Sequence, residues 1–284
     1  MPESRRVLLR AAAAELAVGG VASPEYDADE LLAHALGVPR SRLVLVDDVD
    51  EVSAQRFREL VARRASREPL QHLTGVAGFR HVELAVGPGV FVPRPETELL
   101  AGWAIERALE RAREVAEPVV VDLCTGSGAI ARALADEVPQ ARLYAVELDE
   151  GALEWAGRNL AGTGVDLRHG SMEDAFGDLD GRVDVVVCNP PYIPLEAWES
   201  VAPEARDHDP HLALFSGADG LDALRVLERV AGRLLRPGGV VGAEHADVQG
   251  SSAPEVFVRT GHWHEIEDHL DLAGRPRFVT ARLR

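Results

Sequence analysis

The sequence predicts an α/β protein: an open, mostly parallel, doubly wound sheet preceded by a small domain made only of helices. Three observations lead there. From residue 3 to about 67, apolar residues recur at spacings of three and four, the period of a helix packed on one face. From Pro118 onward, short apolar runs alternate with amphipathic helical stretches, the signature of strands joined by crossover helices. Among those runs VVVDL and VDVVVC are nearly continuous in apolar character, as strands covered on both faces are.

Taken in order, RVLLRAAAAEL, DADELLAHALG and SAQRFRELVARRA supply the helices of a domain over 1–73, with Asp27 and Ser53 as N-caps and Gly37 as a stop. A linker over 74–93 contains FRHVELAVGPGVFVP, whose partial alternation predicts a short hairpin turning at Gly87-Pro88-Gly89. The remainder, 94–284, opens with the helical stretch PETELLAGWAIERALERARE. VVVDL is a strand, AIARALADE a helix, RLYAVEL a strand, and DEGALEWAGRNLAG a helix capped by Asp149. VDLRHGS and VDVVVC are strands, and LDALRVLERVAGRLL is a helix closed by Arg236-Pro237-Gly238-Gly239. VVGAEH, GHWHEIEDHL and PRFVTARL complete seven strands. In such sheets ligands sit beyond the carboxyl ends of the strands, where strand order reverses.

Composition narrows the chemistry. The 284 residues are 46% hydrophobic and 27% charged, ordinary values for a globular protein. All 30 basic residues are arginine, so Schiff-base, pyridoxal phosphate and Walker-type lysine chemistry are excluded. A formal net charge of −17 argues against a nucleic-acid partner, which needs a basic face. No apolar run is long enough to span a bilayer, and the first twenty residues, interrupted by Glu15, read as an amphipathic helix and not a signal peptide. Two cysteines make no disulfide framework, which places the protein in a reducing cytoplasm, and the histidines lack zinc-site spacing. Cys124 and Cys188 read as small apolar filling, and the arginine-rich RFRELVARRASRE as a solvated helix face.

Two stretches point to a ligand. In VVVDLCTGSGAIARALA, residues 119–135, a strand runs into a turn where Gly126 and Gly128 let a ligand approach the backbone. That loop alone does not separate a dinucleotide from S-adenosylmethionine. About 20 residues on, Glu147 closes the next strand, where an acid can accept from both hydroxyls of a ribose. A third stretch, VVVCNPPYIP at 185–194, ends a strand abruptly at Asn189 and then stiffens the backbone with two prolines, which cannot continue a ladder.

The order of Gly loop, ribose acid and Asn189-Pro190-Pro191-Tyr192 resembles the amino-methyltransferases that modify planar nitrogens. With FVPRPETE (91–98), PLQHLTG (69–75), Asp209-Pro210 and AEH (243–245), the chain from about Glu68 onward resembles the HemK/PrmC-type protein-(glutamine-N5) methyltransferases. The resemblance implies a seven-stranded, Rossmann-like class I methyltransferase sheet, S-adenosylmethionine as methyl donor and S-adenosylhomocysteine as product. It implies as substrate the glutamine of the Gly-Gly-Gln tripeptide in bacterial peptide chain release factors, gripped by the helical domain. Carried onto this sequence, Cys124, Thr125, Gly126, Ser127 and Gly128 wrap the amino-acid part of the cofactor, Glu147 its ribose, and Met172 its adenine. Asn189, Pro190, Pro191 and Tyr192 hold the target glutamine, with Asn189 also beside the cofactor. Phe91, Pro93 and Arg94 close the pocket from the interdomain side, the first two towards the cofactor and Arg94 towards the substrate. Met172 and Cys124 depart from the aromatic and the glycine common there in relatives.

The tetrapeptide suits an amide target. An amide nitrogen is a poor nucleophile because its lone pair is delocalised into the carbonyl. The Asn189 side-chain oxygen and the Pro190 carbonyl can each accept one N–H of the glutamine, Pro191 fixes their convergence, and Tyr192 can cover the amide plane. Other readings stay open: a glutamine of a ribosomal protein, an adenine N6 in nucleic acid, or a silent adenosyl-ligand-binding module. The role of Glu244-His245 at a strand end stays open too.

Overall fold

Leu8, Ala12 and Leu16 lie four residues apart, so they share one side of a helix, and all three are buried. They belong to the first of two units in the computed structural model, which describes residues 2–284 (for Ser200, the backbone alone). This unit contains β1 (Glu3–Ser4), α1 (Arg5–Val18), α2 (Pro24–Leu36), β2 (Asp48–Val49), α3 (Glu51–Ala65) and α4 (Leu70–Thr74). Its core joins Leu16, Leu31, Leu32, Phe57 and Val61 from the three long helices.

Details differ from the sequence reading. The unit is not wholly helical, because β1 and β2 form a two-residue antiparallel ladder. The α2 helix starts at Pro24, whose fixed φ suits a first helical position, so Asp27 lies in the first turn and is not the cap. Asp50, not Ser53, caps α3: its carboxylate accepts from the Val52 and Ser53 N–H groups at 3.0 Å each. Gly37 does stop α2, with φ at 65° in the left-handed region.

Next come β3 (Val76–Phe79) and β4 (Val82–Ala85), which pair as a hairpin. Its turn falls at Arg80-His81, not at Gly87-Pro88-Gly89. The alternating buried positions run up to Phe79 and resume at Val82, which forces the reversal between them.

The second unit then carries α5 (Thr97–Arg111), β5 (Val119–Leu123), α6 (Ala129–Glu137), β6 (Arg142–Glu147), α7 (Glu150–Leu160), β7 (Asp166–His169) and β8 (Val183–Cys188). After α8 (Pro203–His208) follow α9 (Asp222–Leu234), β9 (Leu235–Glu244), α10 (Ser252–Thr260), β10 (Trp263–Leu270) and β11 (Pro276–Leu283). The seven-stranded sheet has the order β10-β11-β9-β8-β5-β6-β7. The five strands from β9 to β7 are parallel, and β11 runs antiparallel to both β9 and β10. All six residues of β8 are buried, as expected of a central strand. Leu224, Leu227, Ala231 and Leu234 form the buried stripe of α9.

Arg236-Pro237-Gly238-Gly239 is not a loop that closes α9 but the bulged entry of β9. The three residues of β8 from Val183 to Val185 face the six from Leu235 to Val240, and Gly238 takes φ 77° to absorb the excess. No helix among the described residues is long and apolar enough to cross a membrane.

Residues 202–208, α8 included, group with the first unit. Glu204 there accepts from the Arg67 guanidinium at 2.7 and 2.6 Å and from Arg64 at 3.1 Å. Arg64 in turn donates to Asp27 at 2.7 Å, and both are buried. So the arginine-rich stretch is not simply a solvated face: Arg64 points inward. Removing one member of a buried ion pair strands the other charge, at about 3–5 kcal/mol. Arg64→Ala is therefore expected to lower stability by about that amount in urea unfolding, whereas Arg56→Ala, whose guanidinium is exposed, is expected to change it by under about 0.5 kcal/mol.

Candidate active site

Strand pairing decides which residues can meet. In the parallel ladders Leu123 of β5 pairs with Cys188 of β8, and Cys188 pairs with Ala243 of β9. Their successors, Cys124, Asn189 and Glu244, therefore leave the same edge of the sheet side by side. The chain turns one way from β5 to β6 and the other way to β8, so this edge is the reversal point where such sheets bind ligands.

The Gly loop is built around a buried acid. Asp122, 1% exposed, accepts from the Thr125 hydroxyl at 2.6 Å and from the Ala131 N–H at 3.2 Å through one oxygen. Its other oxygen, Oδ1, is buried without a partner. Burial pushes the carboxyl up to about 7, against the pull of its two donors. Cys124, Gly126 and Gly128 have φ of 59°, 57° and 82°, all left-handed, a region that glycine adopts freely and cysteine only at a cost. At Gly126 an added Cβ would meet open space, whereas at Gly128 it would lie 3.1 Å from Leu160 Cγ. Asn159 ties the loop down, donating to the Ser127 carbonyl at 2.8 Å and to the Ala85 carbonyl at 2.9 Å.

Glu147 ends β6 beside this loop and is nearly buried, which raises its carboxyl above the usual range against three backbone donors. Oε2 accepts from the Gly126 N–H at 2.7 Å, and Oε1 from Leu148 and Asp149 at 2.9 Å each. Three of its roughly four acceptor positions are used, so Oε2 retains one. The Met172 sulfur lies 3.8 Å from that of Cys124, which brings it to the loop as well. Cys188 is fully buried in the core, consistent with apolar filling.

Asn189 leaves β8 with its side chain turned to α5: Nδ2 donates to the Thr97 hydroxyl oxygen at 3.3 Å. Thr97 donates to Glu244 Oε2 at 2.7 Å, and the Tyr192 hydroxyl donates to Glu244 Oε1 at 3.0 Å. Glu244 is 1% exposed, and burial raises both its carboxyl and the Tyr192 phenol. The backbone after the prolines is pinned too, since Gln249 donates to the Tyr192 carbonyl at 3.1 Å. Gly220 leaves room for that carbonyl, which an added Cβ would approach to 2.2 Å.

The FVPRPETE stretch meets this site mainly through Thr97. Arg94 lies over the Phe91 ring at 4.9 Å and donates to the buried Asp209 at 2.9 Å. Its charge is thus partly committed within the protein. Burial lifts Asp209 to about 6 even beside Arg94. Pro93 is half-buried between them in sequence, with no side-chain polar group to place. Asp122 and Thr97 are the polar residues that sequence reasoning missed as site members, and Glu244, whose role the sequence left open, joins them. Each sat inside a quoted motif, but a strand-end acid or a helix-start threonine has no one-dimensional mark of burial.

The residues at this edge of the sheet fit S-adenosylmethionine. Asp122 Oδ1 is an orphaned buried acceptor beside the Gly loop, suited to an ammonium group, and the open space at Gly126 admits a ligand against the backbone.

Known proteins agree with this architecture. The PrmC N-terminal domain model matches residues 7–75, and the methyltransferase small domain model matches 105–202. A release factor glutamine methyltransferase of Streptomyces coelicolor is 62% identical over 94% of both chains. Another from Mycolicibacterium smegmatis is 49% identical over 97% of this chain and 96% of its own. A 4-amino-L-phenylalanine/4-methylamino-L-phenylalanine methyltransferase of Streptomyces pristinaespiralis is 48% identical over 73% of this chain and 71% of its own. Among solved structures, the hMettl16 catalytic domain superposes with a TM-score of 0.56 at 14% identity, covering 78% of this chain and 81% of that one, a likeness of fold alone. By its identity to curated relatives along nearly its whole length, the chain belongs to the release factor glutamine methyltransferase family.

Proposed function

We propose that this protein methylates the side-chain amide nitrogen of the glutamine in the Gly-Gly-Gln motif of peptide chain release factors, in the cytoplasm. The observation that carries the reading is the 62% identity, over 94% of both chains, to a release factor glutamine methyltransferase. The net charge of −17 favours a protein over a nucleic acid as partner. The helical region over 1–73 is assigned the grip on that protein, the 74–93 segment links it, and 94–284 performs the chemistry. The amino-phenylalanine enzyme supports a second reading, a small aryl amine as acceptor. The helical-domain match over 7–75 favours the macromolecular one.

S-adenosylmethionine supplies a methyl group on a positively charged sulfur. The chain supplies binding and orientation. Thr125 to Gly128 and Cys124 present backbone to the amino-acid end, and Asp122 Oδ1 accepts from its ammonium. Glu147 uses its remaining Oε2 position for a ribose hydroxyl, and Met172 borders the adenine. Phe91 and Pro93 exclude water on the cofactor side, and Arg94 with Asp209 shapes the substrate side. Asn189 Oδ1 and the Pro190 carbonyl accept the two N–H bonds of the target amide, which aims its nitrogen without a strong base. Pro191 holds those acceptors in register, and Tyr192 covers the amide plane. Such positioning recovers on the order of 7–11 kcal/mol in well-oriented pairs.

Incubating the protein with unmodified release factor and S-adenosylmethionine, followed by tandem mass spectrometry, should place one methyl on the Gly-Gly-Gln glutamine. An unmodified factor alongside a methylated aryl amine would instead support the second reading. Asn189→Ala should lower kcat by about 100-fold or more while calorimetric cofactor affinity is weakened at most; unchanged turnover would remove Asn189 from its role. Gly128→Ala forces a Cβ against Leu160 at a left-handed φ, so cofactor affinity should weaken by about tenfold.

Asp122 adds a pH dependence. Its folded pKa of about 7 lies above the unfolded value near 4, so the folded state holds the proton longer. Its contribution to stability is complete below about pH 4 and is lost progressively up to about pH 7. In ligand-free protein, urea unfolding across that range should show a decline, on the order of a few kcal/mol, that is absent from Asp122→Asn. Equal slopes in the two proteins would contradict the assignment.

A further inference from the structure

The hydroxyl of Thr97 has one proton, and it goes to Glu244 Oε2 at 2.7 Å. Towards Asn189 the Thr97 oxygen can then only accept. The Asn189 side chain must therefore present its NH₂ group to Thr97, as the 3.3 Å contact has it, and its Oδ1 must face the opposite way. An amide free to flip would offer a donor where the target amide needs an acceptor, and two NH₂ groups would meet with no bond between them.

We propose that Thr97 and Glu244 are positioning residues that fix the orientation of the Asn189 amide, a role that rests on reading Asn189 as the acceptor for the substrate nitrogen. The same Glu244 carboxylate holds the Tyr192 hydroxyl at 3.0 Å, so one buried group orients both polar side chains of the tetrapeptide. Thr97 opens α5 and Glu244 ends β9, two elements that pack on each other. Neither side chain touches the substrate in this arrangement. They act through the direction in which Asn189 points.

The sequence offers a clean probe, because Asn159 and Asn189 are its only asparagines. Full-length protein labelled with ¹⁵N at asparagine shows two side-chain NH₂ pairs, and Asn159, bonded to Ser127 and Ala85, serves as the internal control. Thr97→Val keeps the shape and removes the hydroxyl. It should move the Asn189 pair and speed its exchange with water while the Asn159 pair stays. With release factor as substrate, kcat should fall by about tenfold or more, with KM and calorimetric cofactor affinity held within about twofold. Thr97→Ser restores the hydroxyl and should recover both the resonance and most of kcat. The proposal is overturned if Thr97→Val leaves the Asn189 pair in place, if the pair moves without loss of kcat, or if Thr97→Ser loses as much as Thr97→Val. A wild-type protein that shows the bonded Asn189 pair but does not methylate the factor would sink the substrate assignment, while the resonance comparison still decides the positioning.

Discussion

The parallel ladder of β8 with β5 on one side and β9 on the other is the constraint on which the site depends. Parallel strands place equivalent residues level with one another, so the pairs Leu123–Cys188 and Cys188–Ala243 deliver Cys124, Asn189 and Glu244 to one edge. These residues are far apart in the chain, and only the ladder makes them neighbours. Because β8 is paired on both sides, a slip in its register would carry Asn189 away from both partners.

At that edge the protein keeps acids where water does not reach. Asp122 and Glu244 are almost fully buried, and burial raises both above the usual carboxylate range. Their functions differ because their partners differ. Glu244 is satisfied by two hydroxyls and so behaves as a rigid anchor for other side chains. Asp122 keeps one oxygen without a partner, which leaves it suited to a cationic ligand. A buried polar group is costly unless bonded, so each unsatisfied atom is informative about what the site accommodates.

Much of the architecture was legible in one dimension. The seven strands, the long helices, the caps at Asp149 and Gly37 and the Gly turn all follow from local chemistry and periodicity. Errors came where a longer-range term outweighed the local one. Asp27 has the chemistry of a cap, but Pro24 starts the helix earlier and Arg64 claims the carboxylate. Arg236 to Gly239 has the composition of a loop, but pairing with β8 makes it a bulged strand entry. Ser53 lost the cap to Asp50, three residues earlier, because both N–H groups needing an acceptor lie within reach of the aspartate.

Local sequence settled the elements and the chemical types at their ends: a Gly turn, an acid, and an asparagine followed by two prolines. Those choices depend on backbone sterics and hydrophobic period, which act over a few residues. Burial and hydrogen-bond partnership depend on what arrives from elsewhere in the chain. Thr97 meets Asn189 across a separation of 92 residues, and Glu244 meets Thr97 across 147. Hence the direction of the Asn189 amide, the raised carboxyls and the inward turn of Arg64 belong to the tertiary structure, which alone determines where water is excluded and which donors remain within reach.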